Sequence, residues 1–170
     1  MDAVCRAADR LSTVVGVLAA WLLVPLVLAL CYEVVARYVF GAPTIWAYEL
    51  AYLLTGSGWM LGMAYALARG AHIRIDIVYL NLSPRGRALV DVVGYLVFLL
   101  PFLFWVASTL DDRAIHAFQS GERTGQSAWN PPIWPFRAVF FVSFAMLALQ
   151  AAAEAVRAIG VLAGRAPGAR

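Results

Sequence analysis

The sequence predicts an all-α integral membrane protein of four transmembrane helices, and three observations carry that prediction. Hydrophobic residues make up 63% of the chain and charged residues 14%, with a mean hydropathy of +0.77. A soluble domain carries roughly 45–50% apolar and about 25% charged residues, so lipid must cover part of this surface. The apolar residues fall into four long runs separated by polar connections. Strand-like alternation is confined to His72 through Ile77, and helices are the structure that satisfies every backbone group inside hydrocarbon.

The first run spans about 11–40 and is broken only near its end by Glu33 and Arg37. At about 1.5 Å per residue it exceeds a hydrocarbon core of about 30 Å, and it should tilt or protrude. Pro25 predicts a kink in its middle, and Gly41-Ala42-Pro43 a turn at its end. Leu28-Ala29-Leu30-Cys31 resembles a lipoprotein cleavage box, but Leu30 stands where a small residue is needed and the run continues past it. The segment therefore reads as a retained helix. Cys5 and Cys31 form no paired motif and read as structural.

The second run spans about 44–68, with Trp46, Tyr48 and Tyr52 marking a membrane–water boundary. Gly58, Gly62 and Ala66 recur every four residues, a stripe that lets another helix approach. Between runs two and three, the segment holding His72, Arg74 and Asp76 is too short to span. It is expected to lie in the interface as a short amphipathic helix, with an extended segment as the other reading. The third run spans about 88–110, with Pro101 as a second kink. Asp111 to Asn130 reads as the longest polar loop, and the fourth run spans about 131–159, leaving 161–170 as a short tail.

The charge of +3 comes wholly from arginine, because the chain has no lysine. Nine arginines flank one set of run ends: Arg6, Arg10, Arg69, Arg74, Arg85, Arg87, Arg157, Arg165 and Arg170. The opposite set holds Arg37, Arg113, Arg123 and Arg137. Positive flanks stay cytoplasmic, so both termini are expected inside and the Asp111–Asn130 loop outside. The same placement argues for a membrane and against nucleic acid as the basic chain's partner.

Catalytic equipment is missing from the pattern. His72 and His116 are the only histidines and both lie in connections, so no pair can hold a haem across the bundle. No metal-ligand cluster, cysteine–histidine dyad or activated serine is spaced for chemistry, and no cofactor is expected. Charged residues inside the runs matter more, since a charge at the bilayer centre costs at least about 2.5 kcal/mol. Glu33 and Arg37 are four apart on one helix face and should pair. Glu49 enters from the same surface, and the three are expected to form a polar clamp between helices one and two. The functional reading of the set is an ion or proton site, or a contact with a partner protein. Arg137 and Glu154 are expected to snorkel from opposite ends of the fourth helix.

The order of these features resembles the small membrane subunit of tripartite ATP-independent periplasmic (TRAP) transporters. The matching residues are Arg37-Tyr38-Val39-Phe40-Gly41, Trp46-Ala47-Tyr48-Glu49, and a Gly-x-His-x-x-x-Asp segment at Gly70, His72 and Asp76. The stretch Ser127-Ala128-Trp129-Asn130-Pro131-Pro132-Ile133-Trp134 completes the set. Tyr48 departs from the family pattern, where many members carry a second acid beside the residue matching Glu49. The resemblance implies a bacterial inner-membrane secondary transporter driven by an ion gradient. In it a periplasmic binding protein delivers an organic acid to a large permease subunit, which the small subunit accompanies and supports. Asp111, Asp112, Glu122 and Arg123 are then the expected docking residues for the binding protein. The competing reading is a self-sufficient small oligomeric transporter coupled to a cation or proton through Glu49 or Glu33; a membrane haem protein is the third.

Overall fold

In the computed structural model, which describes residues 2–71 and 82–164, helix follows helix and no strand occurs among the described residues. Four helical stretches are long and apolar enough to cross a membrane: Val4–Tyr38, Ala47–Ala68, Arg85–Ser120 and Trp134–Leu162. The interfacial segment with His72, Arg74 and Asp76 lies outside the described residues, as does the tail from residue 165 onward.

The first span is two helices in line, α1 (Asp2–Trp21) and α2 (Leu23–Tyr38). They meet three residues before Pro25, whose ring and missing N–H deprive the carbonyl of Trp21 of its usual donor. Leu22 N–H tightens there onto the carbonyl of Ala19 at 3.1 Å. The second span is α3 (Ala47–Ala68). The third starts as α4 (Pro84–Val93), where Ser83 caps the N-terminus by accepting from Gly86 N–H at 3.2 Å and Pro84 takes the first helical position. It widens into a π-helix over Gly94–Leu99 and continues as α5 (Leu100–Ser120). The fourth span is α6 (Trp134–Leu162).

Two sequence-based boundaries need correction. The first helix begins at Asp2 rather than near residue 11, and the third runs on to Ser120 rather than stopping near residue 110. Apolar runs mark where lipid ends, whereas a helix continues until its carbonyls are capped. For α5 the cap is Gly121, whose φ of 64° suits glycine, and Glu122 N–H closes the turn onto Ala117 O at 3.1 Å. Asp111 and Asp112 therefore sit on a helix and not in a loop.

The fourth helix is the hub. It packs against α1, α3, α4, α5 and the π-turn, while the third span packs chiefly on the fourth. Leu67, Leu103, Leu147 and Ala151 form the central apolar cluster, and Cys5, Ala8 and Ala153 a second one toward the chain termini. Close approach is made at two glycines. A Cβ on Gly16 would lie 2.6 Å from the Tyr65 side chain, and one on Gly56 would lie 2.9 Å from the Phe136 ring. Of the Gly58–Gly62–Ala66 stripe, a Cβ on Gly58 would lie 3.6 Å from the Ala19 carbonyl oxygen, whereas one on Gly62 would meet nothing within 4 Å.

Candidate functional site

Polar side chains gather at both ends of the bundle. At the hairpin end, α2 presents Glu33 and Arg37 one turn apart, and Arg37 Nε donates to Glu33 Oε1 at 2.8 Å, with Nη2 bound to the same oxygen. The other carboxylate oxygen accepts from Thr44 N–H at 2.9 Å and from the Thr44 hydroxyl. Glu33 thus reaches across the Gly41-Ala42-Pro43 turn and fixes the connection between spans one and two. Tyr32 and Trp46 stack beside it with ring centroids 5.8 Å apart.

Glu49 is placed separately. It stands in the first turn of α3, where the helix dipole favours an anion, and it is fully buried. The Ser127 hydroxyl donates to its Oε2, while Oε1 has no hydrogen-bond partner. Glu33 and Arg37 are therefore brought together, and Glu49 is tied instead to the connection between spans three and four. The two carboxylates have different partners because Glu33 is already filled by Arg37 and Thr44.

That connection is a hydrogen-bonded hairpin. Ile133 N–H donates to Glu122 O and Thr124 N–H to Pro131 O, each at 3.1 Å. Arg123 Nη1 donates to Asn130 O and Gly125 N–H to Asn130 Oδ1, each at 2.8 Å. Asn130 holds the turn with a φ of 43°, a conformation its side chain tolerates better than most. Glu122 is paired with Arg137 at 2.5 Å, and Arg137 also donates to the carbonyl of Arg113. Glu122 and Arg123 thus shape the hairpin, Asp111 is half-buried, and Asp112 is exposed.

At the terminal end a second network joins α1 to α6. The Ser12 hydroxyl donates to Gln150 Oε1 at 3.0 Å, and Gln150 Nε2 donates to Asp9 Oδ1 at 2.8 Å. Arg157 binds Glu154 at 2.6 Å and also pairs with Asp9. Ser12, Gln150 and Glu154 are buried. The expectation that Arg137 and Glu154 snorkel is corrected here. Glu154 is only 4% exposed because α6 continues past it to Leu162, and Arg137 is held by Glu122. The network was legible in part: Gln150, Glu154 and Arg157 recur at helical spacing within an alanine-rich run, as do Asp9 and Ser12.

Among the described residues no group of three or more His, Cys, Asp and Glu side chains could hold a metal ion. Both networks are positioned to fasten helices to one another, with most donors and acceptors matched inside the chain. No curated protein and no solved structure matches this sequence. The family model for tripartite ATP-independent periplasmic transporters, DctQ component, matches residues 26–160, from the second half of the first span to the end of the fourth. With four spans of membrane-crossing length arranged on that match, the chain belongs to the DctQ family: it is the small permease subunit of a TRAP transporter, a multi-pass protein of the inner membrane.

Proposed function

We propose that this subunit holds the large permease of its transporter in place and offers the periplasmic binding protein part of its landing surface, while the solute crosses elsewhere. The reading is carried by the distribution of burial. In three of the four spans only 11%, 11% and 6% of the most apolar stretch is buried within the chain, against 44% in the fourth. The charged pairs described above sit toward the two ends of the bundle, with only the matched Ser12–Gln150 pair reaching further in, so transport is assigned to the partner. The arginine bias supports cytoplasmic termini, and the family supports an ion-gradient-driven uptake of organic acids. Catalysis has no place in this reading.

The landing surface is the hairpin end. Its internal hydrogen bonds make it rigid, so docking would cost little ordering entropy. Asp111 on α5 and the exposed Gln126 and Trp129 of the hairpin are available for contact. The test is uptake in proteoliposomes holding both membrane subunits, titrated with binding protein. Asp111→Arg with Trp129→Ala should raise the half-saturating concentration of binding protein while the two membrane subunits still co-purify. Unchanged titration would remove the docking role, and wild-type subunits that do not co-purify would remove the supporting role.

A second reading rests on Glu49, whose buried Oε1 lacks a partner. In that reading the acid takes up a cation or proton and this chain transports alone. Uptake by the purified small subunit in liposomes, abolished by Glu49→Gln, would favour it over the first.

A further inference from the structure

The third span carries a backbone defect that lipid cannot repair. Across Gly94–Leu99 the helix is wound in the π register, and Leu100 N–H donates to the carbonyl of Tyr95. The next residue is Pro101, which has no N–H. The carbonyl of Leu96, one π-turn before it, loses the donor that would have served it, and Val97, one α-turn before it, is left to Phe102 N–H alone. Leu100 N–H is already taken by Tyr95 and Phe102 N–H lies six residues past Leu96, out of helical reach, so the Leu96 carbonyl is bare. Among the described residues no side chain donates to either. Counting about 1.5 Å per residue, Leu96 lies about 16 Å from Arg85 and about 22 Å from Asp111, deep in the hydrocarbon.

This stretch is also turned outward. Leu96, Val97 and Phe98 are all exposed. Gly94, Phe98, Pro101, Trp105, Ser108 and Asp112 follow the alternating three- and four-residue steps of a helix–helix seam. A Cβ on Gly94 would meet nothing within 4 Å, and every later member of the seam is exposed. Trp105 is 67% exposed, and among the described residues its indole N–H has no acceptor. Ser108 has already given its hydroxyl proton to the carbonyl of Trp105 at 2.8 Å. Asp112 ends the seam at the hairpin surface, without an ion pair among the described residues.

Acyl chains supply neither a donor for Leu96 nor an acceptor for Trp105, and unpaired backbone groups facing lipid are avoided in membrane proteins. The occupant is therefore protein. A second copy pairing seam to seam does not fit. Two copies related in that way meet at equal depth, where the seam near Leu96 offers only Gly94, Phe98 and Pro101, and Asp112 would face Asp112. We propose that the seam from Gly94 to Asp112 seats a transmembrane helix of the large permease subunit. That helix carries a hydroxyl, amide or amine donor at the depth of Leu96 and a basic residue opposite Asp112. The proposal rests on the supporting role argued above and assigns it to one face.

The test uses the co-expressed pair of membrane subunits. A photocrosslinking phenylalanine analogue is placed at Phe98 or Trp105 on the seam, or at Leu28 on the exposed side of α2. Crosslinks from Phe98 and Trp105 to the large subunit are expected. If the pair co-purifies but crosslinks only from Leu28, or from no position, the seam is wrong while the supporting role stands. A crosslinked homodimer from the seam positions also overturns it. If the wild-type subunits do not co-purify, the supporting role fails and the seam with it. As a second measurement, Pro101→Ala restores the missing N–H. The isolated chain should then melt at a higher temperature, while the large subunit dissociates about three- to tenfold faster, the loss of one interhelical hydrogen bond. An unchanged dissociation rate overturns the proposal.

Discussion

The fourth and third spans, 29 and 36 residues long, are built from similar apolar material, yet 44% of the fourth's most apolar stretch is buried and only 6% of the third's. The difference is one of size rather than hydrophobicity. The fourth helix turns Ala151, Ala153, Ala155, Ala158 and Gly160 inward, and its backbone comes close to three other spans. The third turns Phe98, Phe102, Phe104 and Trp105 outward. In water all of these would compete for a core. In a bilayer, lipid tails are as apolar as leucine, so close packing and hydrogen bonds decide which helices associate. The fourth helix has both, through its alanines and through Gln150, Glu154 and Arg157. The third, with its π-turn, keeps its large residues and an unserved carbonyl for something outside the chain.

This contrast can be broken most severely at Arg157. The guanidinium joins Asp9 of α1 to Glu154 of α6, and Arg157→Leu would remove the cation that ties these two carboxylates together. Removing one partner of a buried pair costs about 3–5 kcal/mol, and the 28% exposure of the Arg157 side chain brings the expectation to about 2–3 kcal/mol. The purified subunit in detergent should melt several degrees lower. A variant that melts like the wild type would mean the terminal network does not fasten the fourth helix.

Next comes Ala151→Phe. Ala151 is fully buried against Leu67, Leu103 and Leu147, and a phenyl ring there must push at least one span away at a cost of about 1–3 kcal/mol. Gln150→Leu should do less. It removes the acceptor of Ser12 and one donor to Asp9, which keeps Arg157, and interhelical hydrogen bonds of this kind are worth about 0.6 kcal/mol on average. Melting temperatures that reverse this order would show that hydrogen bonding outweighs packing at the hub.

The four spans were legible because run length against bilayer thickness is a strong constraint, and the Glu33–Arg37 pair because its spacing is local. The remaining contacts of the clusters were hidden by distance along the chain. Glu49 meets Ser127 across 78 positions and Asp9 meets Arg157 across 148, so no sequence window contains both partners. The Gly58–Gly62–Ala66 stripe points to helix packing in general, but which glycines touch a neighbour depends on how each helix is rotated. That is why Gly16 and Gly56 make the close contacts. The hub role of the fourth helix was hidden for a related reason: hydropathy sums apolar character and is nearly blind to whether it comes from alanine or phenylalanine.

The smallest effect sharpens the comparison from the other side. Phe104 is 77% exposed on the third span, next to the proposed seam but not in it. Phe104→Ala in the isolated subunit exchanges ring–lipid or ring–detergent contact for more of the same. Its melting temperature should move by no more than about 0.5 kcal/mol in equivalent stability. The smaller truncation Leu103→Ala, one residue earlier but 1% exposed in the central cluster, leaves a cavity and should cost about 2–5 kcal/mol. Neighbouring positions on one helix would then differ severalfold in consequence, set only by which way each side chain faces. If Phe104→Ala destabilises the isolated chain as much as Leu103→Ala, the third span is covered from within, and the case for an outside partner on that helix is lost.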